Sequence, residues 1–173
     1  MSINFHKKIE TERLGGMIST YEFSHSIDTV FYELTDRERL KKRYAALDEE
    51  VISFHSERVG IEIILTVERR IHRDVPKLLR RAINSEQVTK MSEKWWPADA
   101  DWRGEHHVEV VGQPVAIDAT FELIPTKGGC KYVIEQHPRV SIPLVKRQVE
   151  KALEKQLSKG FLELCDCVNE FLR

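Results

Sequence analysis

The sequence predicts one α+β domain: a curved antiparallel sheet of about seven strands, two short helices after the first strand, and a long C-terminal helix packed on the sheet. Three observations predict it. Between residues 50 and 140, apolar side chains recur at every second position in runs broken by Gly, Pro and Asp. The connections between most consecutive runs are short, which makes neighbouring strands antiparallel. Beyond Pro143 the apolar spacing changes from two to about 3.6 and keeps that period to the C-terminus.

Taken in order, residues 1–16 are polar and charged and end in Leu14-Gly15-Gly16; they are expected to form an N-terminal arm or loose edge segment, with the domain running over 17–173. Tyr21 and Phe23 alternate with polar neighbours as a half-buried strand does. Ser26 is placed to cap a short helix with Ile27, Val30, Phe31 and Leu34 on its apolar face. Asp36 is placed to cap a second, from Arg37 to about Leu47, with Leu40, Tyr44 and Leu47 inward.

Residues 50–57 read as a strand with Ile52 and Phe54 on one face and Val51, Ser53 and His55 on the other. Gly60 turns the chain into a second strand, where Ile61, Ile63, Leu65 and Val67 alternate with polar residues. The run Asp74, Val75, Pro76 suggests a capped helical turn over 74–79. Strands follow at 87–96 and 105–111, with 97–101 as a loop between them. Val115, Ile117, Ala119, Phe121 and Leu123 mark the next strand, and Tyr132, Ile134, Gln136 and Val140 the last. Pro143 suits the first position of the final helix, whose stripe is Val145, Val149, Ala152, Leu153, Gln156, Leu157, Gly160, Phe161, Leu164, Val168 and Phe171. About thirty helical residues reach about 45 Å, enough to cross a small domain.

Composition bounds the function. With 173 residues, 41% hydrophobic, 32% charged and a net charge of -1, the chain matches an ordinary globular protein, and its overall charge draws it to neither nucleic acid nor an anionic membrane. No run reaches the roughly 18 apolar residues of a membrane span, and no apolar run follows Lys7 and Lys8 as a signal peptide requires. Cys130, Cys165 and Cys167 do not form a disulfide framework, and Cys165 and Cys167 diverge by about 200° on a helix. These features predict a cytoplasmic protein with no metal and no cofactor.

The order of elements resembles that of the START-like, or helix-grip, superfamily of polyketide cyclases, lipid-transfer domains and pollen-allergen-type carriers. The segment 21–36, through Tyr21, Phe23, His25, Asp28, Phe31 and Asp36, looks like its opening strand and helix. The junction 140–150, with Ser141, Pro143, Val145 and Val149, is similar to the strand-to-helix junction of the uncharacterised bacterial family 2505 of domains of unknown function; Glu93, Lys94 and Trp95 resemble its middle strand. Lys146 and Arg147 stand where that family often has small residues. The resemblance covers about 17–172 and implies a cavity between sheet and helix that takes lipid-, sterol- or polyketide-like molecules.

Several constellations bear on that expectation. Gln156 and Gly160 interrupt the apolar stripe one turn apart. A helix-interior Gly costs about 1 kcal/mol relative to Ala. It therefore signals either space for a bound molecule or the close approach of a strand or aromatic ring. His106 faces inward if Val108 and Val110 do; it is then a ligand contact, a weak general acid or base, or a histidine satisfied locally. Trp95, Trp96 and Trp102 bracket a loop, as core packing or a cavity mouth. Arg69, Arg70, Arg73, Lys77, Arg80 and Arg81 form a basic cluster, either a solvated surface or a contact for an anionic partner. No phosphate-binding glycine loop, nucleotide fingerprint or nucleophile elbow occurs.

The leading expectation is a binder of an apolar or amphipathic small molecule, lined by Tyr21, Phe23, Leu65, Trp95, His106, Phe121, Tyr132, Gln136, Gln156, Leu157, Gly160, Phe161 and Leu164. The alternatives are a cyclase- or hydrolase-type enzyme in the same cavity, and a non-enzymatic interaction module with a filled interior. The partner set is one small molecule, without nucleic acid or membrane insertion, transient membrane contact being allowed, and the chain is expected as a monomer or homodimer.

Overall fold

A computed structural model describes residues 16–77, 80 and 83–173, together with the backbone of 8–13. Its strands are β1 (Lys8–Arg13), β2 (Gly16–Phe23), β3 (Glu50–Val59), β4 (Glu62–His72), β5 (Glu86–Ala98), β6 (Asp101–Val110), β7 (Val115–Thr126) and β8 (Gly129–Val140). They form one open antiparallel sheet in the order β1-β2-β8-β7-β6-β5-β4-β3. The helices are α1 (Ile27–Thr35), α2 (Arg37–Ala46) and α3 (Lys146–Phe171). The seven expected strands are β2 to β8. Within the expected arm, β1 pairs with β2, Lys8 lying opposite Thr20.

The local signals act as the side-chain chemistry requires. Ser26 Oγ accepts from the Thr29 amide at 3.3 Å, and Asp36 Oδ1 accepts from the amides of Glu38 and Arg39 at 3.1 Å, so each short helix starts on a side-chain cap. Alternation places Leu65 and Val67 of β4, Met91 and Trp95 of β5, Val108 and Val110 of β6 and the odd-numbered residues 115–123 of β7 in one buried core. α3 rests mainly on β8 and β2. Its fully buried positions are Val149, Leu153, Ser158, Phe161, Cys165 and Val168.

Four expectations are corrected. α3 begins at Lys146, behind Leu144 in the left-handed region at φ 70, and not at Pro143; a residue with positive φ cannot continue a right-handed helix. In β3 the register slips between Val51 and Ser53, so Val51 and Phe54 both pack on the core while Ile52 is turned out at 44% exposure. The loop expected over 97–101 shrinks to Asp99 and Ala100, a tight turn made possible by Asp99 at φ 54, and Trp102 lies in β6. The helical turn expected over 74–79 is displaced: residues 73–76 are irregular, Lys77 lies in a turn, and Leu78 and Leu79 lie outside the described residues.

Candidate functional site

On the concave face, the ladder registers align side chains from successive strands into rows. One row crosses the middle of the sheet as Met17, Gln136, Ala119, His106, Glu93 and Leu65. Ser19, Ile134, Phe121, Gly104, Trp95 and Ile63 form the next row toward the β5–β6 turn. On the other side lie Ile117, Val108, Met91 and Val67. A polar row is thus set between an aromatic and an aliphatic one.

The aromatic row is closely packed. Trp95 and Phe121 have ring centroids 4.5 Å apart, and Tyr132 meets Phe161 of α3 at 5.3 Å. Gly104 permits this, since a Cβ there would collide with the Phe121 ring and the Lys94 carbonyl. Trp102 stacks on Phe31 of α1 at 3.7 Å, closing that end as core packing. Trp96 points outward, with Lys94 Nζ 5.8 Å from its ring.

The polar row is built differently. Trp95 Nε1 donates to Glu93 Oε1 at 2.6 Å, which holds the carboxylate against the indole. Glu93 Oε2 lies 3.7 Å from His106 Nδ1, and the two side chains keep 12% and 13% exposure although both face inward. Gln136 is 6% exposed, and among the described residues its Oε1 has no partner; nor does Thr89 Oγ1, also inward and 3% exposed. Burial pushes the Tyr132 phenol well up, and the Glu93 charge pushes it further. The same two causes act on Tyr44 of α2, against the pull of Arg69 and Arg43.

A second buried polar region lies under α1 and α2. Glu33, 1% exposed, pairs with Arg39, and Arg43 Nη1 donates to the Glu33 carbonyl at 2.6 Å. Glu49, 5% exposed, accepts from Arg69 Nη1 at 2.6 Å and also pairs with Arg73. Arg69 lies 4.4 Å over the Tyr44 ring. The basic cluster expected from 69–81 is therefore dispersed: Arg69 and Arg73 bind Glu49, Arg70 binds Glu50 at 2.6 Å, and Arg80 Nε donates to the Val75 carbonyl at 2.9 Å. Arg81 lies outside the described residues. Acidic residues on β3 and after α2, distant in sequence, thus neutralise Arg69, Arg70 and Arg73.

Of the thirteen expected lining residues, Tyr21, Phe23, Leu65, Trp95, Phe121, Tyr132, Gln136 and Phe161 are buried, and His106 faces inward beside Glu93. Leu157, Gly160 and Leu164 are half-buried. Leu157 stands one turn from buried Leu153 and one turn from buried Phe161 on the same helix row, and yet retains surface. A Cβ added at Gly160 meets nothing within 4 Å, which rules out the close-approach explanation for this glycine. Gln156 is the exception: its Nε2 donates at 3.1 Å to the Asp74 carbonyl, so the amide ties α3 to the β4–β5 connection instead of facing the sheet. Tyr21 gives its hydroxyl to Asp166 at 2.9 Å. Glu93 was absent from the expected set, although its place between Met91 and Trp95 on the inward phase of β5 was readable.

Two concavities open elsewhere. One of about 470 Å³ lies against the outer face of the sheet, where His107, Asp118 and His137 align across β6, β7 and β8. Its charges are paired: His107 Nδ1 donates to Asp118 at 2.6 Å and Arg139 binds Asp118 at 2.7 Å. The other, about 390 Å³, lies between the end of α2 and β4. Among the described residues no group of three His, Cys, Asp or Glu side chains is arranged to hold a metal ion, and no helix is long and apolar enough to cross a membrane.

A family model described as "Protein of unknown function (DUF2505)" matches residues 19–172. Among solved structures, a protein from Rhodobacter sphaeroides is similar at 12% identity over 96% of this chain and 97% of its own, with a TM-score of 0.62. Human STARD10 is similar at 13% identity over 94% of this chain and 72% of its own, with a TM-score of 0.57. The di-domain ARO/CYC StfQ from the steffimycin biosynthetic pathway is similar at 11% identity over 90% of this chain and 49% of its own, with a TM-score of 0.61. At such identities the likeness is one of fold. No curated protein matches the sequence.

Proposed function

We propose that the chain, which belongs to the DUF2505 family and has the START-like, helix-grip fold, binds an apolar or amphipathic small molecule between the sheet and α3. The observation that carries this reading is a break in burial where the fold should be densest. Leu157, between buried Leu153 and Phe161, keeps surface, and so do inward-facing Glu93 and His106 on strands that α3 does not mainly rest on. Open space beside Gly160 adjoins the same stretch of helix. Apolar walls with a few convergent polar groups are the usual make-up of a small-molecule site.

In this reading Leu157, Gly160, Leu164, Met91 and Val108 face the apolar body of the ligand, and Glu93 and His106 its polar end. Native mass spectrometry of freshly purified protein is expected to show a retained apolar molecule. Gly160→Leu fills the open space and is expected to abolish uptake of the neutral dye Nile red while the far-ultraviolet circular dichroism stays native. Unchanged dye affinity in that variant sinks the reading.

The Glu93–His106 pair favours a second reading, a cyclase- or hydrolase-type reaction with His106 as general base oriented by Glu93. Turnover of a substrate unchanged by His106→Ala removes it.

A further inference from the structure

We infer that Glu93 makes the interior site selective for ligands whose polar end is a hydroxyl or another hydrogen-bond donor, and hostile to ionised carboxylates such as fatty-acid anions. This rests on the reading of an interior site given above and states what that site prefers.

The argument starts from which donors and acceptors the concave face leaves open. An ionised carboxylate only accepts. One oxygen of Glu93 is held by the Trp95 indole N–H at 2.6 Å; the other is left to His106 at 3.7 Å, too far for a hydrogen bond. In the same row, Gln136 Oε1 is a second acceptor with no partner. The row therefore presents unmet acceptors, and a group that donates to it satisfies them.

Cations that might receive an anion are already engaged. Arg69 gives Nη1 to Glu49 at 2.6 Å, and Arg43 gives Nη1 to the Glu33 carbonyl at 2.6 Å. Each keeps an unpartnered Nε, but both Nε atoms are enclosed by packing and offer no surface to a ligand. Among the described residues, a carboxylate entering the row would meet the like charge of Glu93, and the one ionisable donor of that row, His106, already faces Glu93 at 3.7 Å, in surroundings where the repulsion is poorly screened.

The phenols narrow the class further. Tyr132 and Tyr44 are both buried, and both lie close enough to Glu93 to feel its charge. Burial and the Glu93 charge push both phenols up, so they stay protonated and act as donors. A ligand hydroxyl donates to Glu93 and accepts from a phenol; an ammonium only donates. The hydroxyl is thus the better match, and the ammonium is the informative control.

Three ten-carbon probes test this at pH 7.5: decanol, decylamine and decanoate, each displacing Nile red, with quenching of Trp95 emission as a second readout. Wild type is expected to bind decanol at least tenfold tighter than decanoate, with decylamine between them. Glu93→Gln keeps an acceptor for the Trp95 indole and removes the charge. It is expected to raise decanoate affinity at least threefold and to lower decylamine affinity, narrowing the ratios. If all three bind wild type equally and Glu93→Gln leaves the ratios unchanged, the selectivity is overturned and the site stands. If no probe binds and Nile red is not taken up, the site itself is overturned, and its preference with it.

Discussion

The charged ledge under α1 and α2 and the polar row of β5, β6 and β8 both bury carboxylates, but pair them to different degrees. On the ledge, the Glu33 and Glu49 carboxylates each meet arginine: Arg39 and Arg43 for one, Arg69 and Arg73 for the other. In the row, Glu93 has one firm donor, His106 stands off at 3.7 Å, and Gln136 Oε1 has none. Removing one member of a well-paired buried set leaves an uncompensated charge and damages the fold. A group that lacks a partner already costs stability, and what it gains from a bound molecule shows in affinity. The ledge thus belongs to stability and the row to recognition.

The sharpest way to break this contrast is Glu33→Ala, which removes the carboxylate 4.0 Å from buried Arg43 and leaves that charge facing backbone carbonyls alone. The expected loss is about 3–5 kcal/mol of unfolding free energy, read by urea denaturation; a loss below about 1 kcal/mol would erase the distinction. Gln136→Leu removes an unpartnered carbonyl at nearly constant volume and is expected to stabilise the ligand-free protein by about 1 kcal/mol, read as a higher Tm. A lower Tm would mean that the amide is satisfied. Glu93→Gln, so consequential for ligand choice, is expected to shift ligand-free stability by less than about 1 kcal/mol in urea, because Trp95 keeps an acceptor.

The smallest effect is on the outer face. The Asp118 hydrogen bond holds the His107 pKa above 6.5; burial, the next largest effect, opposes it, and Glu109 adds to the rise. Since the folded value is raised, the contribution is fully present below about pH 6.5 and is lost as pH rises through the folded pKa. His107 is 40% exposed, so solvent screening limits it to about 0.3–0.5 kcal/mol. The stability gap between wild type and His107→Gln is expected to close as pH rises above about 6.5; a gap that widens would contradict the assignment.

Much of the fold is legible in the sequence because its signals are local. Ser26 and Asp36 cap their helices through backbone amides two or three residues away, and alternation alone places Leu65, Phe121 and Tyr132 inside. What escapes is set by distant parts of the chain. The bulge at Ile52 depends on how β4 pairs. The buried face of α3 takes in Ser158 and Cys165, because Ser158 meets Ser19 at 3.4 Å, and that contact is fixed by where the helix crosses the sheet. Arg69 reads as surface until Glu49 is known to sit beneath it. Within the site, His106 follows from the phase of Val108 and Val110. Glu93 follows from the same reasoning on β5, but a carboxylate between Met91 and Trp95 has the appearance of an ordinary charged strand position until His106 is brought opposite it.

The slipped register in β3 also affects how molecules meet one another. β3 ends the sheet, and an outermost strand offers free amides and carbonyls to any neighbour that can match its spacing. The extra residue at Ile52 throws that spacing out of step partway along, so a second molecule cannot zip against the whole length. Removing the insertion would straighten the rim and leave it open to fibril-like growth, a hazard to colloidal behaviour that has nothing to do with the concave side.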